Sequence, residues 1–310
     1  MIAQTSPVIV IGMHRSGTSL VSRILESLGV FMGYRQEHNA EAQFFLRLNY
    51  WVFKQSGGKW DRPLAVRDLI ENTEINRLCV NYLEKMVDSK RAFDFLGPAA
   101  IGGKTSIGAL EDRWGWKDPR STFTLPLWLT LFPGSKVVHV HRNGVDVARS
   151  LVERGKQELD EADRRVASAK WTHALRFAPF PRKYKGRISF FDEVLIESVR
   201  GLSPDGAFGI WEEYVGEAER QIDVLPSSDT YTLRYETLLS EPEKVIHELV
   251  RALELDVSAD KIATCSSGIN KGRAHAYRND SQWRGFYDKV KDSPLMRKYH
   301  YDHITDELDQ

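Results

Sequence analysis

Short apolar runs alternate with amphipathic segments along this chain. Residues 8–12 form a short apolar run rich in Val and Ile, which is typical of a buried parallel strand, and the valine-rich segment KVVHVH at 136–141 predicts a second buried strand. Apolar residues at helical spacing follow the first run over 18–28, and Gly29 ends the predicted helix. Because strands alternate with helices, the pattern predicts an α/β fold in which helices flank a parallel β-sheet.

The same pattern predicts further elements around the second strand. No internal repeat and no low-complexity linker separates them, so we expect a single domain over residues 1–310. Helices are expected at 41–55, 66–88, 121–131, 142–155, 156–170, 207–225 and 242–255, a strand at 230–235, loops at 56–63 and 95–104, and a polar tail at 266–310.

The amino-acid composition argues against nucleic acid and membranes as binding partners. The 43 basic and 43 acidic residues balance, so no overall attraction to nucleic acid or to a membrane surface is expected. Only two cysteines occur, and no apolar run approaches the roughly 20 residues of a membrane span. The sequence therefore predicts a soluble, cytoplasmic protein and leaves its oligomeric state open.

The first strand leads into the sequence GMHRSGTSL, which nearly matches the phosphate-binding pattern G-x-x-x-x-G-K-[ST]. Thr18 stands where that pattern has its lysine. Glycines that open a helix expose backbone N–H groups at the positive end of the helix dipole, and hydroxyl and guanidinium groups add donors. The segment thus predicts an anion-binding loop made of Gly12, His14, Arg15, Ser16, Gly17, Thr18 and Ser19.

The end of the second strand argues against metal-assisted phosphoryl transfer. Nucleoside-triphosphate enzymes of this type place a Mg²⁺-binding Asp near such a strand, whereas this strand ends in Arg142. A cation at that place repels a metal ion and attracts a second phosphate. We therefore expect no metal, and a nucleotide or small-molecule kinase with a degenerate loop stays as the alternative.

Two segments resemble the cofactor signatures of sulfotransferases that use 3′-phosphoadenosine 5′-phosphosulfate (PAPS). GMHRSGTSL resembles the loop that holds the 5′-phosphosulfate, and KVVHVHRNGVDVARSL resembles the signature whose Arg and Ser bind the 3′-phosphate, here Arg142 and Ser150. Arg154 matches a third cofactor-contacting position of tyrosylprotein-type members. The resemblance implies a P-loop-like sulfotransferase fold that binds PAPS and the product 3′-phosphoadenosine 5′-phosphate (PAP).

Three further segments are similar to the same family. WGWKDPR resembles a segment whose lysine, here Lys117, approaches the sulfuryl group, and LRYETLLSEP resembles a unit whose tyrosine, here Tyr235, lies near the adenosine. The basic segment 270–278 resembles the loop over the 3′-phosphate. Because the cytosolic small-molecule branch has Lys at the place of Arg15 and Trp at that of Leu20, the likeness is to bacterial and tyrosylprotein-type members.

The resemblance implies transfer of a sulfuryl group from PAPS to a hydroxyl or amine. Arg15 and Lys117 are the expected charge-stabilising cations, since charge stabilisation dominates such transfers. The base is expected in the connection after the first helix, at Glu41, with Glu37 and His38 as alternatives. The acceptor, a small molecule, glycan or peptide, is not identified by the sequence, and a non-catalytic PAPS-binding protein is a further alternative.

Overall fold

A parallel four-stranded sheet forms the centre of the molecule. The computed structural model describes residues 6–98, 106–168, 195–269 and 274–303. The strands are β1 (Val8–Gly12), β2 (Gly115–Lys117), β3 (Lys136–His141) and β4 (Thr230–Arg234). The α-helices are α1 (Thr18–Ser27), α2 (Gln43–Ser56), α3 (Ala65–Glu71), α4 (Thr73–Val87), α5 (Phe93–Leu96), α6 (Ser121–Leu131), α7 (Gly144–Ser168), α8 (Pro204–Ile222), α9 (Tyr235–Ser240), α10 (Pro242–Ala252), α11 (Ala259–Ser267), α12 (Ser281–Val290) and α13 (Pro294–Lys298).

The strand order is β2-β1-β3-β4, and every neighbouring pair is parallel. The register places Val10 opposite Lys117, Gly12 opposite Val140 and His141 opposite Arg234. All four carboxyl ends therefore lie along one edge of the sheet. The predicted α/β fold, a parallel sheet flanked by helices, is confirmed.

Each face of the sheet has its own apolar core. Alternate residues of β1 point to opposite faces, so Ile9 and Ile11 belong to one cluster while Val8 and Val10 belong to the other. The larger cluster packs the sheet against α2, α4, α6 and α8, and the smaller one packs it against α1, α10 and α11. Helices on both faces explain why β1 is apolar without alternation and why β3 is buried along almost its whole length.

Some predicted boundaries were wrong for identifiable reasons. The helix expected over 66–88 breaks at Asn72, whose backbone is extended and whose side chain caps α4 by accepting a hydrogen bond from Ile75 N. One helix, α7 (Gly144–Ser168), occupies the described part of the segments 142–155 and 156–170, for which two helices were expected. Strand β2 was not predicted, because three residues are too few to show a pattern.

The C-terminal part of the chain is more ordered than its polar composition suggests. Within the expected tail, α12 and α13 pack Trp283, Tyr287 and Met296 into the larger core. Parts of the predicted segments 95–104, 156–170, 266–310 and 270–278 lie outside the described residues. In the described ranges, no helix is both long enough and apolar enough to cross a membrane.

Candidate active site

The candidate site lies at the carboxyl edge of the sheet, between β1 and β3. The chain leaves β1 to form β2 on one side and later returns to form β3 on the other side. In open α/β sheets, ligands bind in the crevice that opens where the strand order reverses in this way. The loop after β1 and the turn that begins at Arg142 therefore face each other across this crevice.

The loop between β1 and α1 requires glycine at both ends. Gly12 and Gly17 have φ angles of 136° and 94°, which side-chain-bearing residues rarely adopt. A Cβ atom on Gly12 would collide with the carbonyl oxygen of Val140, and one on Gly17 would collide with the ring of Tyr235. The absence of these two side chains lets the loop curl over the sheet edge and lets Tyr235 pack against the start of α1.

Hydroxyl groups of the loop have different surroundings. Ser16 Oγ is buried and makes no hydrogen bond to any described residue, and Thr18 is buried at the first position of α1. Ser19 Oγ instead donates to the carbonyl oxygen of Asn39, at 2.7 Å. An unpartnered buried hydroxyl at a helix N-terminus fits a bound anion, because such an anion would supply the missing acceptor.

A cluster of two arginines and a serine forms one end of the site. Arg15 Nε donates to Ser150 Oγ at 2.7 Å, and Arg142 Nη1 donates to the backbone oxygen of Arg15 at 3.3 Å. The guanidinium carbon of Arg142 also lies 4.8 Å from the ring centroid of Tyr235. Four residues predicted to bind the cofactor, from three separate parts of the chain, are thus brought together.

Asp146 holds this cluster in place from α7. Its Oδ2 accepts a hydrogen bond from Arg142 Nη2 at 3.2 Å, and its Oδ1 accepts one from Tyr277 N at 3.0 Å. Arg149, one turn further along α7, donates to the backbone oxygen of Ala276. The described part of the predicted basic loop, residues 274–278, therefore lies against α7 beside Arg142, while residues 270–273 lie outside the described residues.

The other end of the site is a buried ion pair. Lys117 Nζ lies 2.8 Å from Glu41 Oε1, and the two side chains are only 1% and 9% exposed. Burial raises the pKa of Glu41 although Lys117 opposes the shift, and burial lowers the pKa of Lys117 although Glu41 opposes that shift. Each partner thus keeps the other charged in surroundings that would otherwise neutralise it.

A tight loop after α1 delivers Glu41 to this position. Two backbone hydrogen bonds close its turn, both 2.8 Å long. Glu37 N donates to the carbonyl oxygen of Glu41, and Ala40 N donates to the carbonyl oxygen of Glu37. Ala40 adopts the left-handed conformation, with φ 60°. The Ser19 bond to Asn39 ties this turn to the first residues of α1. The anion-binding loop and the Glu41 loop are therefore joined directly.

A buried polar network fixes the segment that carries Lys117. Asp118 is completely buried, and it accepts hydrogen bonds from Asn49 Nδ2 at 2.8 Å and from Arg120 N at 3.0 Å. Asn49 also accepts from Thr124 and Trp128 on α6. Asn49 lies on α2, the helix that begins just after Glu41, and Asp118 directly follows Lys117. The Asn49–Asp118 hydrogen bond therefore links the segment that carries Glu41 to the segment that carries Lys117.

His14 lies where the cations of the site converge. Burial is the largest cause that holds its pKa well below the ordinary value, and Arg120, Lys117, Arg154 and Arg15 add to the effect. Its imidazole is consequently neutral near pH 7, and its buried Nε2 makes no hydrogen bond to a described residue. Its ring packs edge-on against Trp60, with centroids 5.2 Å apart.

The remaining residues that the sequence predicts for the site lie farther from the Arg142 cluster and the Lys117–Glu41 pair, or point to one of them only. Arg154 pairs with Glu158 at 2.7 Å and lies 5.9 Å from the centroid of the Trp60 ring, so it is on the His14 side of the site. Glu37 and His38, the alternative bases, are both exposed. Arg15 points toward Ser150 in this structure.

Four supporting residues were missed by the sequence analysis. Asp146 bonds to Arg142 directly, whereas Asn49, Arg120 and Glu236 bond to residues that adjoin Lys117 or Arg142 in the chain. Arg120 alone had a local clue, because it follows the Lys-Asp-Pro segment directly. The partners of Asn49 and Glu236 lie far away in the chain, so only the fold reveals their role. Asp146 lies four residues after Arg142, but its second bond, to Tyr277 N, is likewise visible only in the fold.

Comparison with protein families gives one match. The model of the sulfotransferase family matches residues 7–185, a stretch that includes both ends of the site. A search of the curated proteins found no matching sequence.

Solved structures similar to this chain are also sulfotransferases. The sulfotransferase domain of the Synechococcus PCC 7002 olefin synthase is 14% identical, with 93% of this chain and 96% of that chain covered and a TM-score of 0.48. The sulfotransferase domain from the curacin biosynthetic pathway is 13% identical, with coverage of 93% and 98% and a TM-score of 0.46. Sulfotransferase STF1 from Mycobacterium tuberculosis H37Rv is 15% identical, with coverage of 87% and 72% and a TM-score of 0.43.

Proposed function

The chain belongs to the sulfotransferase family, and from this we propose that it transfers a sulfuryl group from PAPS to a hydroxyl or amine of an acceptor. The observation that carries the proposal is the arrangement of the crevice. An anion-binding loop joins a cluster of cations at one end to a buried carboxylate–ammonium pair at the other. This arrangement suits a donor with phosphates at two separate positions and a reaction that must accept a proton.

The residues fit the nucleotide at both of its charged positions. The backbone N–H groups of the loop and the unpartnered Ser16 hydroxyl would hold the 5′-phosphosulfate. Arg142 and Ser150 would hold the 3′-phosphate, and Arg15, within reach of Ser150, would add charge between the two positions. Tyr235, packed between Gly17 and Arg142, would contact the adenosine.

The buried pair supplies the groups that the reaction needs. PAPS brings the activated sulfuryl group when it is bound. Glu41 Oε1 takes the proton from the acceptor hydroxyl or amine, and its raised pKa makes it a stronger base than an exposed carboxylate. Lys117 Nζ keeps that carboxylate ionised and stabilises negative charge as it develops beside it. Glu37 and His38 lack this cationic partner.

Membership of the family favours sulfuryl over phosphoryl transfer, and the buried pair favours catalysis over binding alone. A protein that only bound PAPS would gain nothing from a carboxylate and an ammonium buried side by side, because desolvation of two charges is costly. The small-molecule kinase and the non-catalytic binding protein are thus the weaker interpretations. The acceptor is a small molecule, glycan or peptide, and a cytoplasmic location remains a prediction from composition.

A screen of acceptors with ³⁵S-labelled PAPS in the presence of EDTA tests the proposal. We expect label to move to at least one hydroxyl- or amine-bearing acceptor, with PAP formed in equal amount. The same screen with γ-³²P-labelled ATP and Mg²⁺ should give no labelled product. Transfer from ATP and none from PAPS would assign the protein to the kinase class instead.

A further inference from the structure

Behind the Arg142 turn lies a buried chain of polar groups that the proposed reaction does not use. Glu236 is 5% exposed, and its Oε1 accepts a hydrogen bond from Asn143 N at 2.9 Å. Its Oε2 accepts one from the Tyr301 hydroxyl at 3.1 Å. The same hydroxyl lies 2.8 Å from His141 Nδ1. Three parts of the chain thus meet at one carboxyl group.

With Glu236 ionised, the direction of these hydrogen bonds follows from the number of available protons. The Tyr301 hydroxyl has one proton, which it donates to Glu236. Its oxygen must therefore accept from His141, so that imidazole carries its proton on Nδ1. Burial holds the pKa of His141 well below its ordinary value, which keeps the ring neutral. The chain runs from His141 through Tyr301 to Glu236 and ends at the Asn143 amide.

Glu236 connects the turn that presents Arg142, a predicted 3′-phosphate ligand, to the start of α9, which presents Tyr235, the residue predicted to lie near the adenosine. Its sequence neighbour Tyr235 lies under the guanidinium of Arg142, and its hydrogen-bond partner Asn143 directly follows Arg142. Trp211 Nε1 donates to the backbone oxygen of Arg142 at 3.0 Å, which holds the turn from its other side. The position of Arg142 relative to Tyr235 therefore depends on the Glu236 carboxyl.

The C-terminal segment holds Tyr301 firmly. Tyr301 N donates to the Met296 oxygen at 2.7 Å, and the Tyr287 hydroxyl of α12 donates to the Tyr301 oxygen at 3.0 Å. The Arg234 guanidinium also lies 4.6 Å from the centroid of the Tyr301 ring. The end of the described chain thus acts as a fixed support for Glu236 rather than as a loose tail.

We infer that Glu236, held by Tyr301, is a positioning residue that sets Arg142 for recognition of the 3′-phosphate. This inference rests on the proposed function, since it concerns the same nucleotide site. Glu236 touches no reacting atom. It fixes the Arg142–Asn143 turn, and through that turn it determines how strongly the site distinguishes a 3′-phosphate from a 3′-hydroxyl.

Titration calorimetry with PAP and AMP tests the inference, because these nucleotides differ only in the 3′-phosphate. Glu236→Ala leaves the buried Asn143 amide without its acceptor, and we expect PAP affinity to fall by on the order of tenfold while AMP affinity changes little. Glu236→Gln retains an oxygen for that amide and should keep most of the preference for PAP. Tyr301→Phe should cause a smaller loss in the same direction.

Tyr299→Phe is the matched control. It removes a hydroxyl from the same segment, but this hydroxyl bonds to Glu219 on α8 and lies outside the chain of groups. Its PAP-to-AMP affinity ratio should equal that of the wild type. Equal weakening of PAP and AMP in Glu236→Ala, or an unchanged ratio in both Glu236→Ala and Tyr301→Phe, would overturn the inference.

The affinity ratios also show whether this inference alone fails or the proposed function fails with it. If Glu236→Ala does not fold, as judged by circular dichroism, the ratio in folded Tyr301→Phe decides, and an unchanged ratio overturns the inference. If the wild-type protein binds PAP and AMP equally, the proposed cofactor is wrong and this inference falls with it. A wild-type preference for PAP that is undiminished in both Glu236→Ala and Tyr301→Phe overturns this inference alone.

Discussion

The two ends of the crevice are built in opposite ways. At the Arg142 end, cations gather around positions that face the crevice, and their backbone and acidic contacts orient them without neutralising the cluster. At the Lys117 end, one cation and one carboxylate are buried against each other, and each shifts the pKa of its partner. The first arrangement suits binding of an anion, and the second suits movement of a proton.

This difference implies that binding and turnover can be changed separately. Excess positive charge with fixed orientation favours affinity for phosphate, because little reorganisation is needed when the anion arrives. A buried ion pair contributes little net stability, since the desolvation cost offsets the attraction, so its retention at a crevice points to chemistry. Variants at the two ends should therefore produce opposite patterns of Kd and kcat.

The largest effect is expected at Glu41. Glu41→Gln keeps the size of the side chain and removes the proton acceptor, so kcat should fall by roughly 10²–10⁴-fold, as for a lost general base. The Kd of PAP should stay nearly unchanged, because Glu41 pairs with Lys117 and lies apart from the proposed phosphate ligands Arg142 and Ser150. Steady-state kinetics with calorimetry measures both quantities.

Glu37→Gln is the matched control for that variant. It makes the same change at an exposed carboxylate four residues away, and its kcat should be close to that of the wild type. Loss of turnover in Glu37→Gln with normal turnover in Glu41→Gln would move the base to Glu37. Loss in His38→Ala alone would move it to His38.

Lys117→Ala should be next in size. Removal of one preorganised charge that acts mainly in the transition state lowers kcat by about 10²–10³-fold. PAP affinity should be nearly preserved, since the ammonium is paired with Glu41 rather than with the phosphate-binding cluster. A PAP affinity that collapses together with kcat would make Lys117 a binding residue, and the contrast between the two ends would fail.

Arg142→Ala should have the reverse pattern. Loss of a charge-assisted hydrogen bond is expected to weaken PAP by about 10–100-fold, and AMP, which has no 3′-phosphate, should be affected far less. With saturating PAPS, kcat should stay near the wild-type value. Arg220→Ala removes an equal charge that pairs with Glu217 on α8, so it should change neither nucleotide's affinity.

The smallest expected effect is the change of kcat with pH near neutrality. The pKa of Glu41 is raised, so the basic form is lost, and kcat falls, as pH decreases through a value above that of an ordinary carboxyl. The pKa of Lys117 is lowered, so kcat also falls as pH rises through a value below that of an ordinary lysine. Asp118 and Arg120, the other charges facing the pair, partly offset each other.

Stopped-time assays between pH 5 and 10 measure this bell-shaped profile, with a slope of about tenfold per pH unit on each limb. The acid limb should persist in His14→Gln, because the pKa of His14 is already well below its ordinary value. An acid limb that disappears in His14→Gln would assign that limb to the imidazole and contradict the role given to Glu41.

Local signals in the sequence identified the segments that meet at the Arg142 end of the crevice, and the cofactor-binding role of their residues stays a prediction. The glycines of the loop adopt unusual φ angles, and the strand 136–141 is rich in valine, so both leave a pattern within a few residues. Arg142 follows that strand directly, and its position at the carboxyl edge follows from the parallel sheet alone. The α/β fold was predictable for the same reason.

The Lys117 end of the crevice is formed by contacts between distant parts of the chain. Glu41 and Lys117 are 76 residues apart, and β2, which carries Lys117, is too short to show periodicity. The sequence left three candidates for the base, and only the left-handed turn at Ala40 brings Glu41 rather than Glu37 to the lysine. Asn49 and Glu236 were not predictable, because a buried polar side chain in a helix has no sequence pattern of its own.

The most direct test of the account is titration of the wild-type protein with PAP and AMP in the presence of EDTA. If Arg142 and Ser150 hold a 3′-phosphate beside the loop, PAP should bind more tightly than AMP by on the order of 10²-fold without any metal ion. Equal affinities for the two nucleotides, or binding of PAP that requires Mg²⁺, would contradict the account.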